Sequence, residues 1–466
     1  MSSTRLCLSR VLCAFALMMG SAAWAASGVT TPQNSNEGAL LSILNDAYAA
    51  DAPGACAIVV KDGQVLFRGA RGMANVELSS PLQPQSVLRI GSVTKQFTAA
   101  AVLLLVREGK LSLSDPVTKF ISDYPTHGQT ITIQHLLSHT SGVKDYTAIP
   151  EWVPTMRTDV SADQLVSVFK DKPLDFAPGT EWSYSNSGYV LLGAIIERVS
   201  GQSYAEFMRT RIFAPLGMKQ TRVDDSKDII PNRAEGYAKQ GEHWMNADFL
   251  SMTQPYSAGA LVSSVEDLAR WNAAIDNDEL LTQDLWMRAT STFVLSDGTP
   301  TRYGAGWIMG RIGNLASVEH GGGINGFNAY VLRVPSKHFY VAVLANAAPP
   351  STPPQELALK LATTALGISL NSSEVPIKTK SLREYVGRYV VGPEKTRQIT
   401  LTGDRLHAKI EGDKELDLTP IGHDLFEARD DQSHFQFMRA RGRVAALRIE
   451  PRILMGDRTP AKRLAD

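Results

Sequence analysis

Apolar positions recur every three to four residues at 38–50, 92–108, 164–169, 189–199, 204–212, 264–274 and 355–366, a spacing that predicts helices. Shorter stretches are wholly apolar or alternate, and predict strands at 54–60, 64–70, near Val318, 329–334 and 339–344. Lys61-Asp62-Gly63-Gln64 is a hairpin turn between the first two strands, and Pro335-Ser336-Lys337 turns the chain between the last two. Strands therefore come from both ends of the first 367 residues, with a mostly helical insertion from about 111 to 281 between them. This order predicts a mixed α/β fold of the α+β kind: an antiparallel sheet completed by distant segments, helices on its faces, and a helical subdomain.

The pattern changes after Gly367. Residues 368–381 read as a linker, and 382–466 carry short alternating runs at 385–390, 398–401, 406–410, 416–419, 435–439 and 444–449. Turn residues such as Thr402-Gly403-Asp404-Arg405 separate them, which predicts a small all-β unit, a barrel or curled sheet.

The first 25 residues belong to neither unit. Arg5 and Arg10 precede an apolar run at 11–19, and Ala23-Trp24-Ala25 is a small-residue cleavage pattern. A signal peptide cut after Ala25 is expected, and with it a periplasmic or secreted protein, leaving residues 26–367 as the main domain. The apolar run is too short to span a bilayer, so no membrane span is expected after cleavage. Formal charge over the 466 residues is zero, and loss of the leader removes two arginines and no acid, leaving −2. Such a balance offers nothing to a nucleic acid or to a polybasic membrane surface. Cys7 and Cys13 leave with the leader, so the mature chain holds only Cys56 and no internal disulfide. Cys56 lies in the apolar stretch 55–60 and reads as a buried structural thiol.

Three segments carry candidate chemistry. Ser92 opens a long apolar helix, with Lys95 at i+3 on the same face. An amine and a helix N-terminus beside a hydroxyl lower the cost of making an alkoxide. The spacing alone is weak, since Ser167-Val168-Phe169-Lys170 repeats it within an amphipathic helix. The second segment is Tyr184-Ser185-Asn186, where Tyr184 is the only one of 13 tyrosines with asparagine two residues on. If extended, the pair aims a phenol and an amide the same way; a phenolate near Lys95 would serve as general base. The plainer reading is a polar turn with Asn186 or Ser187 capping the next helix. The third segment is Glu319-His320-Gly321-Gly322-Gly323, at the start of a strand. Its glycines admit a substrate backbone, and His320 offers a donor to a substrate carboxylate or carbonyl; the alternative is a flexible glycine turn with a solvated histidine.

Ser92/Lys95, Tyr184/Asn186 and His320/Gly321/Gly322, in that order, resemble the Ser-x-x-Lys, Tyr-x-Asn and Lys/His-Thr/Ser/Gly-Gly pattern of the active-site serine penicillin-recognising family, which includes class C β-lactamases, D-alanyl-D-alanine carboxypeptidases, D-aminopeptidases and related esterases. Leu137-Ser138-His139-Thr140-Ser141-Gly142, Ala258-Gly259-Ala260-Leu261 through Glu266-Asp267-Leu268, and Tyr303-Gly304 with Gly306-Trp307 are similar to accessory stretches of that family. The resemblance covers roughly 38–367 and implies a β-lactamase/transpeptidase-like fold. It implies acylation of Ser92, proton handling by Lys95 and Tyr184, substrate binding by Asn186, His320, Gly321, Gly322 and Gly323, and an oxyanion hole from the N–H groups of Ser92 and Gly323. In the same resemblance His139 belongs to a structural turn, and residues 382–466 look like an appended lipocalin-like domain.

The implied activity is an exported serine hydrolase of D-amino-acid peptides, β-lactams or small esters, with a small-molecule or peptide substrate and no cofactor or metal. Histidine replaces the lysine usual in strong β-lactamases, which weakens carboxylate binding. No Gly-x-Ser-x-Gly elbow occurs, and the 9 histidines form no His-Glu-x-x-His cluster, so an α/β-hydrolase and a metallohydrolase are disfavoured. The alternative from another class is a penicillin-binding receptor on the same fold that acylates without turnover.

Overall fold

The computed structural model describes residues 35–392, 395–430, 432–453 and 461–464; the expected leader lies outside them. Its centre is a six-stranded antiparallel sheet ordered Ile308–Ile312, Leu315–Ile324, Phe327–Val334, Phe339–Ala345, Ala55–Lys61, Gln64–Arg71. The N-terminal hairpin thus pairs with a strand nearly 300 residues away, as the order of strand patterns requires. The edge strand Ile308–Ile312 was not expected from the pattern: Gly310 and Arg311 break its apolar run.

Strand Ala55–Lys61 is continuously apolar because both of its faces are covered. Ala55, Ala57 and Val59 pack with Leu40 and Leu44 of helix Ser35–Ala47 and with Leu357 and Leu361 of helix Pro354–Leu366. Cys56, Ile58 and Val60 face the other way, into the larger core. The Cys56 thiol is wholly buried, and burial pushes its pKa up to about 12.

That larger core joins the sheet to the helical insertion. Helix Thr94–Arg107 is buried along every residue from Thr94 to Leu105, as a helix apolar all round its axis must be. Helix Asn186–Ser200 shares its core, and Trp271 of helix Val265–Asp276 meets Phe97 with ring centroids 4.4 Å apart. Ser167, the competing Ser-x-x-Lys serine, lies on the exposed face at the end of helix Ala162–Ser167 and donates to the Gln164 carbonyl oxygen, 2.6 Å away.

Beyond the linker an eight-stranded barrel closes on itself, from Gly387–Gly392 to Ala461–Arg463. Leu425–Ala428 and Ala461–Arg463 are its additions to the six expected strands. The first is only four residues long, and the second closes the ring by pairing with Gly387–Gly392 and Arg443–Glu450. Tyr385, Tyr389, Phe426 and Phe437 fill the interior, with neighbouring rings 4.8 to 5.7 Å apart. The linker is pinned rather than free: the Ser372 N–H and hydroxyl both donate to the Glu427 carboxylate. No helix among the described residues is long and apolar enough to cross a membrane.

Candidate active site

The chain enters the site through a short 3-10 turn, Gly91–Val93, continuous with helix Thr94–Arg107. Ser92 rides this turn, and Lys95 one turn on is fully buried. The Lys95 Nζ lies 3.0 Å from Ser92 Oγ, 2.9 Å from Asn186 Oδ1 and 2.9 Å from the Ala258 carbonyl oxygen. The last two can only accept, so they take both N–H bonds of a neutral amine and leave its lone pair facing Ser92. Burial lowers the Lys95 pKa to about 7, and the nearby Asp145 carboxylate opposes the shift. The lysine is therefore poised to exchange a proton near neutrality.

Tyr184 precedes helix Asn186–Ser200, whose cap is Ser185 rather than Asn186 or Ser187: its hydroxyl accepts from the Gly188 N–H. The phenol hydrogen-bonds Ser92, but burial raises its pKa well above the ordinary tyrosine value. A phenol held protonated beside an amine with a lowered pKa is the opposite of the expected phenolate beside an ammonium. The segment is braced by His139, which adopts φ +59°. Its carbonyl oxygen accepts from the Ser183 N–H and its Nδ1 from the Ser185 N–H, gripping the residues on either side of Tyr184. Its ring lies against the phenol, centroids 4.3 Å apart.

Asn186 links two charges. Its Oδ1 accepts from Lys95 while its Nδ2 lies 3.3 and 3.4 Å from the Asp145 carboxylate oxygens. Strand Leu315–Ile324 closes the opposite wall. Gly322 lies against the nucleophile turn so closely that an added Cβ would fall 2.0 Å from the Ile90 carbonyl oxygen and 3.0 Å from Ser92 N. Gly323, which contacts Gly91, joins Ser92 and Asn186 in lining a pocket of about 190 Å³ with Trp152, Leu250 and Ile324.

His320 is placed differently from the expectation. It is 2% exposed and absent from the pocket lining. Its Nδ1 donates to the Gly321 carbonyl oxygen at 2.6 Å, so Nε2 accepts from the Tyr303 hydroxyl at 2.9 Å. Burial, with the Lys95 charge adding to it, holds its pKa near 3, which keeps it neutral. Its ring lies on the same side as Tyr184, centroids 6.4 Å apart, and being neutral it offers no cation to a ligand. Gly321 lies beside Tyr330, away from the pocket. A larger cavity of about 650 Å³, between the Asp62–Gly63 turn and helix Val265–Asp276, contains none of these groups.

Ala258 and Tyr303 lie in the accessory stretches visible in the sequence, although their contacts were not. Asp145 had no spacing to mark it; only the fold brings it beside Asn186.

A family model described as Beta-lactamase matches residues 42–365, and a second, described as a domain of unknown function, matches 371–460. The chain belongs to the β-lactamase family and is a serine hydrolase of the β-lactamase, penicillin-binding-protein and D-aminopeptidase type. It is 31% identical over 403 residues to a penicillin-binding protein of Bacillus subtilis (strain 168), covering 80% of this chain and 87% of that one. It is 30% identical over 297 residues to a D-aminopeptidase of Gluconobacter oxydans (strain 621H), covering 63% of this chain and 56% of the other. Among solved structures, the D-amino acid amidase of Ochrobactrum anthropi SV3 superposes with a TM-score of 0.63 at 25% identity, over 72% of this chain and 99% of that one.

The Asp145–Asn186–Lys95 arrangement makes a signed prediction. Asp145 favours the charged lysine, so Asp145→Asn lowers the Lys95 pKa further. The acid limb of the kcat/KM pH profile, expected near 7 for the parent, moves down by up to about one unit. A limb that stays in place or moves up removes Lys95 as the titrating base.

Proposed function

We propose that the protein hydrolyses amides and esters of D-amino acids or short D-amino-acid peptides through an acyl-enzyme on Ser92. The observation that carries this reading is the buried Lys95 amine, held by Asn186 and Ala258 with its remaining direction on Ser92 Oγ. Lys95 takes the Ser92 proton as Oγ attacks the carbonyl carbon. The N–H groups of Ser92 and Gly323 receive the oxyanion. On collapse the Tyr184 phenol protonates the leaving nitrogen or oxygen and is reprotonated by the Lys95 ammonium. Water then attacks the ester carbonyl with Lys95 again as base, and Ser92 is released.

The substrate class follows from the wall. Among the described lining residues no side chain is basic, and the nearby His320 is buried and neutral. A free carboxylate gains nothing there, so β-lactams and carboxypeptidase substrates are poor fits. Trp152, Leu250 and Ile324 suit an apolar side chain. The D-aminopeptidase and D-amino acid amidase relatives support the same class. Arg5, Arg10, the 11–19 run and Ala23-Trp24-Ala25 support export with cleavage after Ala25.

The test is a panel of D-phenylalanine amide, D-alanyl-D-alanine, a chromogenic cephalosporin and a p-nitrophenyl ester, with intact-mass detection of adducts. Turnover of the amide or ester, with an adduct on Ser92, is expected. Stoichiometric labelling of Ser92 without turnover of any compound would establish the receptor alternative instead.

A further inference from the structure

The C-terminal barrel reaches the catalytic sheet through the segment that follows its strand Arg443–Glu450. Arg311 on the edge strand Ile308–Ile312 donates to the carbonyl oxygen of Gln432 and lies 3.1 Å from His434 Nε2, while Arg302 pairs with Glu450 at 2.6 Å. Between these contacts Arg452 enters the sheet. Its guanidinium makes two bonds to Glu319, 2.7 Å to Oε1 and 2.8 Å to Oε2, and a third to the Arg311 carbonyl oxygen at 3.0 Å. The two side chains are 5% and 0% exposed. Gly310 makes room: a Cβ there would fall 2.7 Å from Glu319 Oε1 and 3.0 Å from Ile453 Cγ2.

Glu319 immediately precedes His320 on strand Leu315–Ile324. Neighbouring residues of a strand face opposite ways, so the carboxylate points to the back of the sheet and the His320 side to the front. On the back, Tyr330 and Ser317 also donate to Glu319. Hydroxyls satisfy its lone pairs without neutralising its charge, and a buried carboxylate requires a cation. Among the described residues Arg452 is the cation paired with it. The hydrolase domain therefore carries, inside its third motif strand, a charge that only the barrel neutralises.

We propose that the barrel is a positioning element of the active site: Arg452 fixes Glu319 from behind, and so holds Gly322 and Gly323 against the Ser92 turn. The inference rests on the reading of Ser92 and Gly323 as nucleophile and oxyanion donor, so its test uses a readout that does not depend on the substrate. That readout is the rate at which a fluorophosphonate labels Ser92 in the full-length protein, with melting and circular dichroism recorded on the same samples. Labelling of the parent protein tests the nucleophile; the variants test the barrel.

Arg452→Met is expected to slow labelling at least ten-fold at temperatures where the protein is fully folded. Arg452→Lys, which keeps the charge and loses the two-pronged contact, gives an intermediate rate. Glu319→Gln combined with Arg452→Met removes the uncompensated charge and so restores folding if the single variant fails to fold, but it still labels slowly, because the two-pronged anchor is gone. Glu450→Gln, which loses only the half-buried ion pair with Arg302, labels like the parent. Parent-like labelling by Arg452→Met, a loss that merely follows the unfolded fraction, or parent-like labelling by the folded double variant would each overturn the proposal.

Discussion

Ser92→Ala and Lys95→Met are each expected to lower kcat/KM by about 10⁴, and the double variant by no more than the worse single one. The two side chains form one device. Without the amine the hydroxyl loses the base within hydrogen-bond reach of its proton. Without the hydroxyl the amine has nothing to deprotonate. Methionine fills the lysine's space but leaves Asn186 Oδ1 and the Ala258 carbonyl oxygen without their shared donor, so some stability is lost too, at about 1–3 kcal/mol per orphaned acceptor. The two losses separate cleanly: stability is read from the melting curve, and catalysis from the rate per folded molecule. Additive effects, with the double variant about 10⁸ down, would mean that serine and lysine serve independent steps.

The second large effect is expected at Gly322. An alanine Cβ there would sit 2.0 Å from the Ile90 carbonyl oxygen, a backbone atom that cannot swing aside. The strand and the nucleophile turn must part, and with them the N–H groups of Ser92 and Gly323. Loss of one oxyanion donor costs about 10²–10³ in kcat, so Gly322→Ala should lower kcat by that factor with a smaller change in KM. Its neighbours supply the control. A Cβ at Gly321 makes ordinary contacts, 3.4 Å from the Tyr330 ring and 3.8 Å from the Ala329 carbonyl oxygen, and one at Gly323 meets Asn328 Oδ1 at 3.6 Å. Gly321→Ala should therefore stay within a few-fold of the parent. Equal losses at Gly321 and Gly322 would show that the run is needed for flexibility instead of close approach.

The difference among these glycines marks where sequence reasoning stops. Gly321-Gly322-Gly323 reads as a place where backbone comes close to something, and it does. Which glycine is demanded depends on Ile90, more than 200 residues earlier. His320 shows the same limit. Its place in the motif suggested a donor to substrate, and nothing in the sequence marked its burial or its bond to the Tyr303 hydroxyl. His139, read as packing or turn chemistry, does that work on the segment that carries Tyr184.

Local periodicity did determine much on its own. The i+3 spacing of Ser92 and Lys95, the hairpin at Asp62-Gly63, the core strands and the all-β character of the C-terminal unit are properties of neighbouring residues, and short-range geometry settles them. The protonation preferences of Lys95 and Tyr184, on which the proposed direction of proton transfer rests, arise only in three dimensions. A lysine pKa near 7 beside a tyrosine held protonated comes from removing water, and water is removed by segments that meet only when the chain is folded. The same holds for Arg452 against Glu319: each is an ordinary charged residue in the sequence, and their burial together is a fact of the tertiary structure alone.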